Sequence, residues 1–285
     1  MKCGTSSLFS YLRQHPDVFL PEMKEPHFFL SPDGLTNKAN ALPYEHCIGN
    51  ANRYQEIYRG CERFVAVGDA STSYLCDPRA AENIRVVCPE ARIIVMLRDP
   101  VERAFSHYLM DVRRGKQTRP LRDALFEDYR LDKKGWGISH LYVEAGLYSQ
   151  QIQKYFHLFG RDQVLVLLSS ELNKEPLRVL SDVARHIGVD PGPLQNAQVS
   201  IAHNAFRESR YPALQRFAGS LGIRGKIFPG SIRKWMRYSP LLFNTKKPAM
   251  DTESRLFLQQ LFGPDLLKLE ALLGRQMPEL RKSWI

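Results

Sequence analysis

Arg92-Ile93-Ile94-Val95-Met96-Leu97-Arg98-Asp99-Pro100 is the stretch on which the fold turns. The apolar run Ile93 to Leu97, bounded by arginines and stopped by Asp-Pro, reads as a strand buried on both faces. Pro100 suits the first turn of a following helix. Val101, Ala104, Phe105, Tyr108 and Leu109 then recur at spacings of three and four, which puts them on one face of that helix. Upstream, Phe64-Val65-Ala66-Val67 reads as another buried strand, running into a loop at Gly68-Asp69-Ala70-Ser71. Pro78 to Cys88 reads as a helix ended by Pro89. Downstream, Gln163 to Leu168 is a further buried strand between helical stretches near 141–159 and 177–187. The tail 251–273 has helical spacing in Leu256, Leu261, Leu266, Leu269 and Leu273. Strands alternating with helices in this way predict an α/β fold, a three-layer sandwich around a central parallel sheet with right-handed crossovers. One domain over 1–285 is expected. The segment 202–247, rich in Arg, Lys, Gly, Pro and aromatics, is read as a loop-rich cover over one face.

The 285 residues are 44% hydrophobic and 25% charged, which excludes a disordered or fibrous protein. No apolar run approaches the ~18–20 residues needed to span a bilayer, and Met1 to Ser7 contains no secretory h-region. Forty Lys and Arg against 30 Asp and Glu leave a net charge of +10. That suits a solvated basic surface, a polyanionic ligand, nucleic acid or an anionic membrane face, and charge alone does not choose among them. No nucleic-acid motif is present, so no nucleic-acid partner is expected. The five cysteines form no C-x-x-C pair. Neither a metal site nor a disulfide framework is indicated, and a reduced, cytoplasmic setting is expected.

Two stretches carry phosphate-binding chemistry. In Lys2-Cys3-Gly4-Thr5-Ser6-Ser7, Gly4 permits a tight turn into a helix-like stretch with Leu8, Tyr11 and Leu12 on one face. Backbone N–H groups converge at such a helix start, where the dipole favours an anion. Lys2 adds a full charge, and Thr5, Ser6 and Ser7 add hydroxyls. A capped helix start with small residues reads the same way. The lysine precedes the glycine, so this is not a Walker A loop. Arg98 stands where a Walker B acid would, which disfavours a magnesium-dependent NTPase. In the second stretch, Arg98 lies just past the carboxyl end of a strand, where open α/β sheets bind ligands. Ser106 follows about two helical turns on, and an arginine fork with a hydroxyl suits one phosphate group. A structural ion pair of Arg98 with Asp99 or Glu102 is the competing reading. Two phosphate sites on one sheet edge point to a nucleotide with phosphates at both ends of its ribose.

These residues resemble the sulfotransferase family that uses 3′-phosphoadenylyl sulfate. Lys2 to Leu8 is similar to its 5′-phosphosulfate loop, and Leu97 to Tyr108 to its 3′-phosphate motif. Glu25-Pro26-His27-Phe28-Phe29 resembles the E-x-H-F-F segment of the glucosaminyl 3-O-sulfotransferase branch, and Gly68 to Tyr74 its G-E-K-S-P-x-Y loop. Pro248 to Leu258 is similar to a P-x-M-D-x-x-S-R-x-F-L stretch of heparan sulfate N-sulfotransferases. The resemblance runs from Lys2 to Trp284, weakly around 200–238. It implies a P-loop-NTPase-like topology. The family places a strand immediately before the phosphosulfate loop, and only Met1 precedes Lys2 here, so that first strand is expected to be missing. Ala70 replaces the lysine of the G-E-K-S-P loop. The C-terminal cysteine pair of the glycosaminoglycan enzymes is absent, and so is the K-G-R element before P-x-M-D.

The resemblance implies 3′-phosphoadenylyl sulfate as co-substrate, the 3′,5′-bisphosphate as product, and no metal. Lys2 and the Gly4–Ser7 amides are assigned to the leaving phosphate oxygen, and Cys3 shares their loop. Arg98 and Ser106 are assigned to the 3′-phosphate, with Lys246 and Lys247 closing over the nucleotide. Glu25 is the first candidate for the base that takes the acceptor's proton, and His27 the second, as base or as a partner orienting the acceptor. Lys24 is a further candidate for the sulfuryl group. The expected acceptor is a hydroxyl or amine, of a carbohydrate or glycolipid. The basic and aromatic stretch 224–238 suits peripheral contact with an anionic membrane, an anionic sugar chain, or simply a surface helix with a buried aromatic face. A P-loop nucleotide kinase or NTPase is the alternative.

Overall fold

The computed structural model describes residues 2–30, 48–135, 138–199 and 247–284, together with the backbone of 208–209 and 243–244. The described elements run α1 (Thr5–Leu12), β1 (Val18–Phe19), α2 (Ala51–Glu56), β2 (Ala66–Val67), α3 (Ala80–Val87) and β3 (Ile93–Leu97). They continue with α4 (Pro100–Arg113), α5 (Leu121–Arg130), α6 (Tyr148–Phe159), β4 (Val164–Leu168), α7 (Ser169–Lys174) and α8 (Pro176–Ile187). Last come β5 (Glu208–Ser209), β6 (Phe243–Asn244) and α9 (Thr252–Leu273).

The apolar run 93–97 is the strand β3, and it pairs in parallel with β4 from Ile93↔Val164 to Leu97↔Leu168. Their side chains alternate between two apolar layers, as the two-residue period of a strand requires. Val95, Leu97, Val164 and Leu168 join Ala81 and Ile84 of α3, Ile152 and Tyr155 of α6, and Leu266 and Leu269 of α9. Met96 and Leu167 face the other way, onto Leu8 and Leu12 of α1, Leu172 of α7, and Val179, Leu180 and Val183 of α8. Helices therefore cover both faces of the parallel pair, the layer order of an α/β fold. A third cluster packs α4, α5 and α9 through Val101, Phe105, Leu125, Leu258 and Phe262.

Three local features depart from the sequence pattern. The expected strand 64–67 shrinks to Ala66–Val67, which pairs in parallel with Val18–Phe19. A two-residue partner is too short for any periodicity to show. The parallel pairs β1–β2 and β3–β4 are separate ladders, joined by side chains of one layer, where Val18, Leu20 and Ala66 meet Met96 and Ile94. The helical stretch near 141–159 is broken. Leu141 takes a left-handed φ of 57°, Glu144–Gly146 forms a 3-10 turn, and the helix proper starts at Tyr148. A Cβ at Gly146 would lie 2.7 Å from Cε1 of Phe262, so only glycine lets this turn press against α9.

The cover expected over 202–247 contains an antiparallel bridge, Glu208↔Asn244 and Ser209↔Phe243. Lys246 and the stretch 224–238 lie outside the described residues. No helix among the described residues is long and apolar enough to cross a membrane.

Candidate active site

The opening loop is built around a left-handed turn. Gly4 has φ 87° at the N-cap of α1, and no side chain caps this helix. Ser7 and Leu8 donate their N–H groups back to the Gly4 carbonyl. Among the described residues no backbone carbonyl accepts from the amides of Thr5 and Ser6, whereas that of Ser7 is used within the turn. No acidic residue occupies the first turn of α1 to oppose an anion. Cys3 turns its side chain inward, 2% exposed, against Leu8, Leu12 and Met96. Lys2 precedes the turn with a left-handed φ of 63°. Burial, then the charges of Arg113, Arg98 and Arg114, lowers its pKa to about 8.

Arg98 follows β3 and reaches back to this loop, its Nη1 donating to the Lys2 carbonyl oxygen at 3.3 Å. Its Nη2 donates to Glu102 Oε2 at 3.2 Å. The same Glu102 oxygen receives Lys247 Nζ at 2.5 Å. Glu102 and Ser106, four residues apart, share one edge of α4, with Ser106 half-buried, and Arg98, just before the Asp99 cap, reaches that edge through its bond to Glu102. Both readings of Arg98 thus meet here, since it pairs with Glu102 while standing beside the Lys2 loop. Asp99 plays no part in the pairing. One of its oxygens caps α4 through the N–H groups of Val101 and Glu102 at 3.0 and 3.2 Å, and the other accepts from Ser283 N at 2.9 Å.

Glu25 and His27 both have left-handed backbones, φ 62° and 57°. With Lys2 they make up three of the four described non-glycine residues with positive φ, and strain of this kind collects where function holds a side chain in place. Three successive hydroxyls hold the segment. Ser71 Oγ accepts from His27 N at 3.0 Å, Thr72 Oγ1 donates to Glu25 Oε2 at 3.3 Å, and Ser73 Oγ lies 2.6 Å from His27 Nδ1. Asp69 anchors this loop by accepting from Ser71 Oγ at 2.6 Å, Tyr74 at 2.8 Å and Tyr54 at 3.0 Å. Burial raises the Asp69 pKa despite those bonds. The Glu25 carboxylate is bonded to the Lys24 ammonium and lies 3.6 Å from His27 Nε2. Burial opposes its ionisation, but Lys24 and then His27 outweigh burial and hold its pKa below the usual carboxylate value.

The structure thus gathers Lys2, Gly4, Thr5, Ser6, Ser7, Arg98, Ser106 and Lys247 about one loop and helix edge, and Glu25 with His27 on a second clamp. Sequence reasoning named Glu102 only as one possible ion-pair partner of Arg98 and missed that the same carboxylate also holds Lys247. It also missed Arg113 and Arg114, a basic pair at the end of α4 whose influence on Lys2 no local pattern reveals. A cavity of about 540 Å³ is lined by other residues, among them Gln117, Arg119, Asp128, Arg130 and His140. Among the described residues no three His, Cys, Asp or Glu gather as a metal would require.

Fold and site together define an α/β protein with cations grouped where a strand end meets a helix N-terminus, the arrangement of an anion-binding enzyme class. Comparison makes the assignment specific: the chain belongs to the sulfotransferase family, whose model matches residues 1–191. It is 25% identical over 250 residues to Carbohydrate sulfotransferase 15 of Mus musculus, covering 70% of this chain and 44% of that protein. It is 25% identical over 301 residues to the mouse Bifunctional heparan sulfate N-deacetylase/N-sulfotransferase 4, covering 100% of this chain and 30% of the relative. The chain spans about half or less of the length of these curated relatives. A solved sulfotransferase from Alicyclobacillus acidocaldarius is 29% identical with a TM-score of 0.73, covering 99% of this chain and 95% of that one.

Proposed function

We propose that the chain transfers a sulfuryl group from 3′-phosphoadenylyl sulfate to a hydroxyl or amine of a carbohydrate or glycolipid acceptor. The observation that carries this reading is the Arg98 guanidinium bonded to the Lys2 carbonyl, a contact that supports reading the two stretches as parts of one nucleotide site. The loop suits the donor: the Thr5 and Ser6 amides have no backbone partner among the described residues, the first turn of α1 has no acid, and Lys2 stands at the mouth. The carbohydrate acceptor is favoured by what the relatives' names say of those proteins.

The donor supplies a sulfur bonded to a phosphate oxygen, and charge builds on that oxygen as the bond breaks. Lys2 and the Thr5 and Ser6 amides stabilise this charge more in the transition state than before it. Arg98, with Ser106 and Lys247, holds the 3′-phosphate, and Glu102 keeps the two cations in place. Glu25 accepts the proton of the attacking acceptor group as the new bond to sulfur forms. Lys24 shifts from Glu25 toward the sulfuryl oxygens, which frees the carboxylate to act as base.

Arg98→Ala tests the assignment. Its affinity for adenosine 3′,5′-bisphosphate should fall at least about tenfold, the scale of one charge-assisted bond, while that for adenosine 5′-phosphate changes little. Calorimetric titration of both nucleotides measures this, and equal losses would remove Arg98 from the 3′ site. Labelled sulfate transfer to a panel of sugars, lipids and phenols then identifies the acceptor. Phosphate release from ATP that depends on magnesium would point to the kinase alternative.

A further inference from the structure

Ser73 is fully buried, and its hydroxyl lies 2.6 Å from His27 Nδ1. The other ring nitrogen of His27 faces Glu25 Oε2 at 3.6 Å. A neutral imidazole carries one proton, so one nitrogen donates and the other accepts. Glu25 is ionised and offers only acceptor oxygens. A proton on Nε2 makes that contact attractive, whereas a lone pair there would face negative charge. The lone pair therefore belongs on Nδ1, where the Ser73 hydroxyl meets it. No other described group bonds that hydroxyl, and a buried donor left without an acceptor is costly.

We propose that Ser73 is a positioning residue, whose hydroxyl donates to His27 Nδ1 and so holds the neutral imidazole with its proton on Nε2, directed at Glu25. The proposal rests on the reading of Glu25 and His27 as the proton-handling pair, and it decides between them. A ring whose Nε2 already bears a proton cannot take the acceptor's proton there. His27 then turns the positive end of its Nε2–H toward Glu25 Oε2 at 3.6 Å, an electrostatic contact beside the Thr72 hydroxyl that donates to the same oxygen. The proton of the acceptor goes to Glu25, the acceptor oxygen or nitrogen bonds to sulfur, and the electron pair of the broken sulfur–oxygen bond stays on the phosphate.

Nitrogen-15 NMR of the histidine-labelled protein reads the tautomer without any substrate. Above the ring's titration, Nδ1 of His27 should resonate as an unprotonated nitrogen and Nε2 as a protonated one. Ser73→Ala should shift the balance toward the other tautomer, and Ser73→Thr should restore it. In sulfuryl transfer, Ser73→Ala should lower kcat by about tenfold, the scale of one hydrogen bond, with donor KM unchanged. A proton on Nδ1 in the wild-type protein overturns the proposal outright, and this measurement needs no variant to fold. An unchanged tautomer in Ser73→Ala overturns it as well. The expected tautomer in a protein that transfers no sulfate would support the role of Ser73 and sink the catalytic reading of the pair. Sulfate transfer with Nδ1 protonated would do the reverse.

Discussion

Glu25 shows what a single neighbour does to a candidate base. The bonded Lys24 ammonium keeps its carboxyl below the ordinary value, against the effect of burial, and a base of low pKa is a weak one. Lys24→Ala should raise the Glu25 pKa and move the acid limb of kcat/KM upward by about one pH unit. A pH–rate profile checks this, and an unmoved limb would assign the limb to another group. Lys2 presents the opposite sign. Its pKa of about 8 means the ammonium discharges just above neutrality in the free protein. Affinity for adenosine 3′,5′-bisphosphate should therefore fall as pH rises through that value, and binding near pH 8 should take up a proton. Calorimetry in buffers of different ionisation enthalpy measures the uptake. Lys2→Ala should abolish it and lower turnover far more than affinity.

Elements hold these residues through caps at their ends. Asp99 closes the N-terminus of α4, the helix that presents Glu102 and Ser106. The N-terminus of α6 has no local cap, so Asp265 reaches across from α9, accepting from Tyr148 N at 2.7 Å and bonding the Ser149 hydroxyl. Tyr148 in turn donates its hydroxyl to the Arg98 carbonyl at 2.9 Å. Asp265→Ala would leave two buried amides and a hydroxyl without their acceptor, and should cost about 2–3 kcal/mol. The urea midpoint reads this loss, with Asp265→Asn expected to lose less. Sequence could supply Asp99, since Asp-Pro before an apolar face is a helix start. It could not supply Asp265, which stands more than a hundred residues from the amides it caps.

Over the whole molecule the buried ionisable groups set the response to acid. His107 is 1% exposed, and burial lowers its pKa to about 3, with Arg103 opposing protonation and Asp111 favouring it. Its folded pKa lies below the ordinary 6.5, so below that pH the unfolded chain binds a proton that the folded chain refuses. Stability is then lost as pH falls from 6.5 toward 3, by about 1.4 kcal/mol per unit from this group. His107→Gln should flatten that slope between pH 6 and pH 4 relative to the wild-type protein. Urea titrations at several pH values test it, and parallel slopes would show that other groups govern the acid limb.

The sequence by itself determined the apolar strands 93–97 and 164–168, the helix opening at Pro100, and the two stretches proposed to bind phosphate. Each rests on neighbours within one or two turns of chain, where periodicity, Pro and Gly act directly. It also carried the family, because motif order survives where identity has fallen to about a quarter. Tertiary structure alone decided the rest. The two-residue strand Val18–Phe19 exists through its partner. Lys2 discharges early because burial, and then the charges of Arg113, Arg98 and Arg114, disfavour its ammonium form. Ser73 meets His27 across 46 residues. Charge and hydrogen bonding act through space, so side chains distant in the chain set a group's protonation, and their proximity exists only once the core has formed.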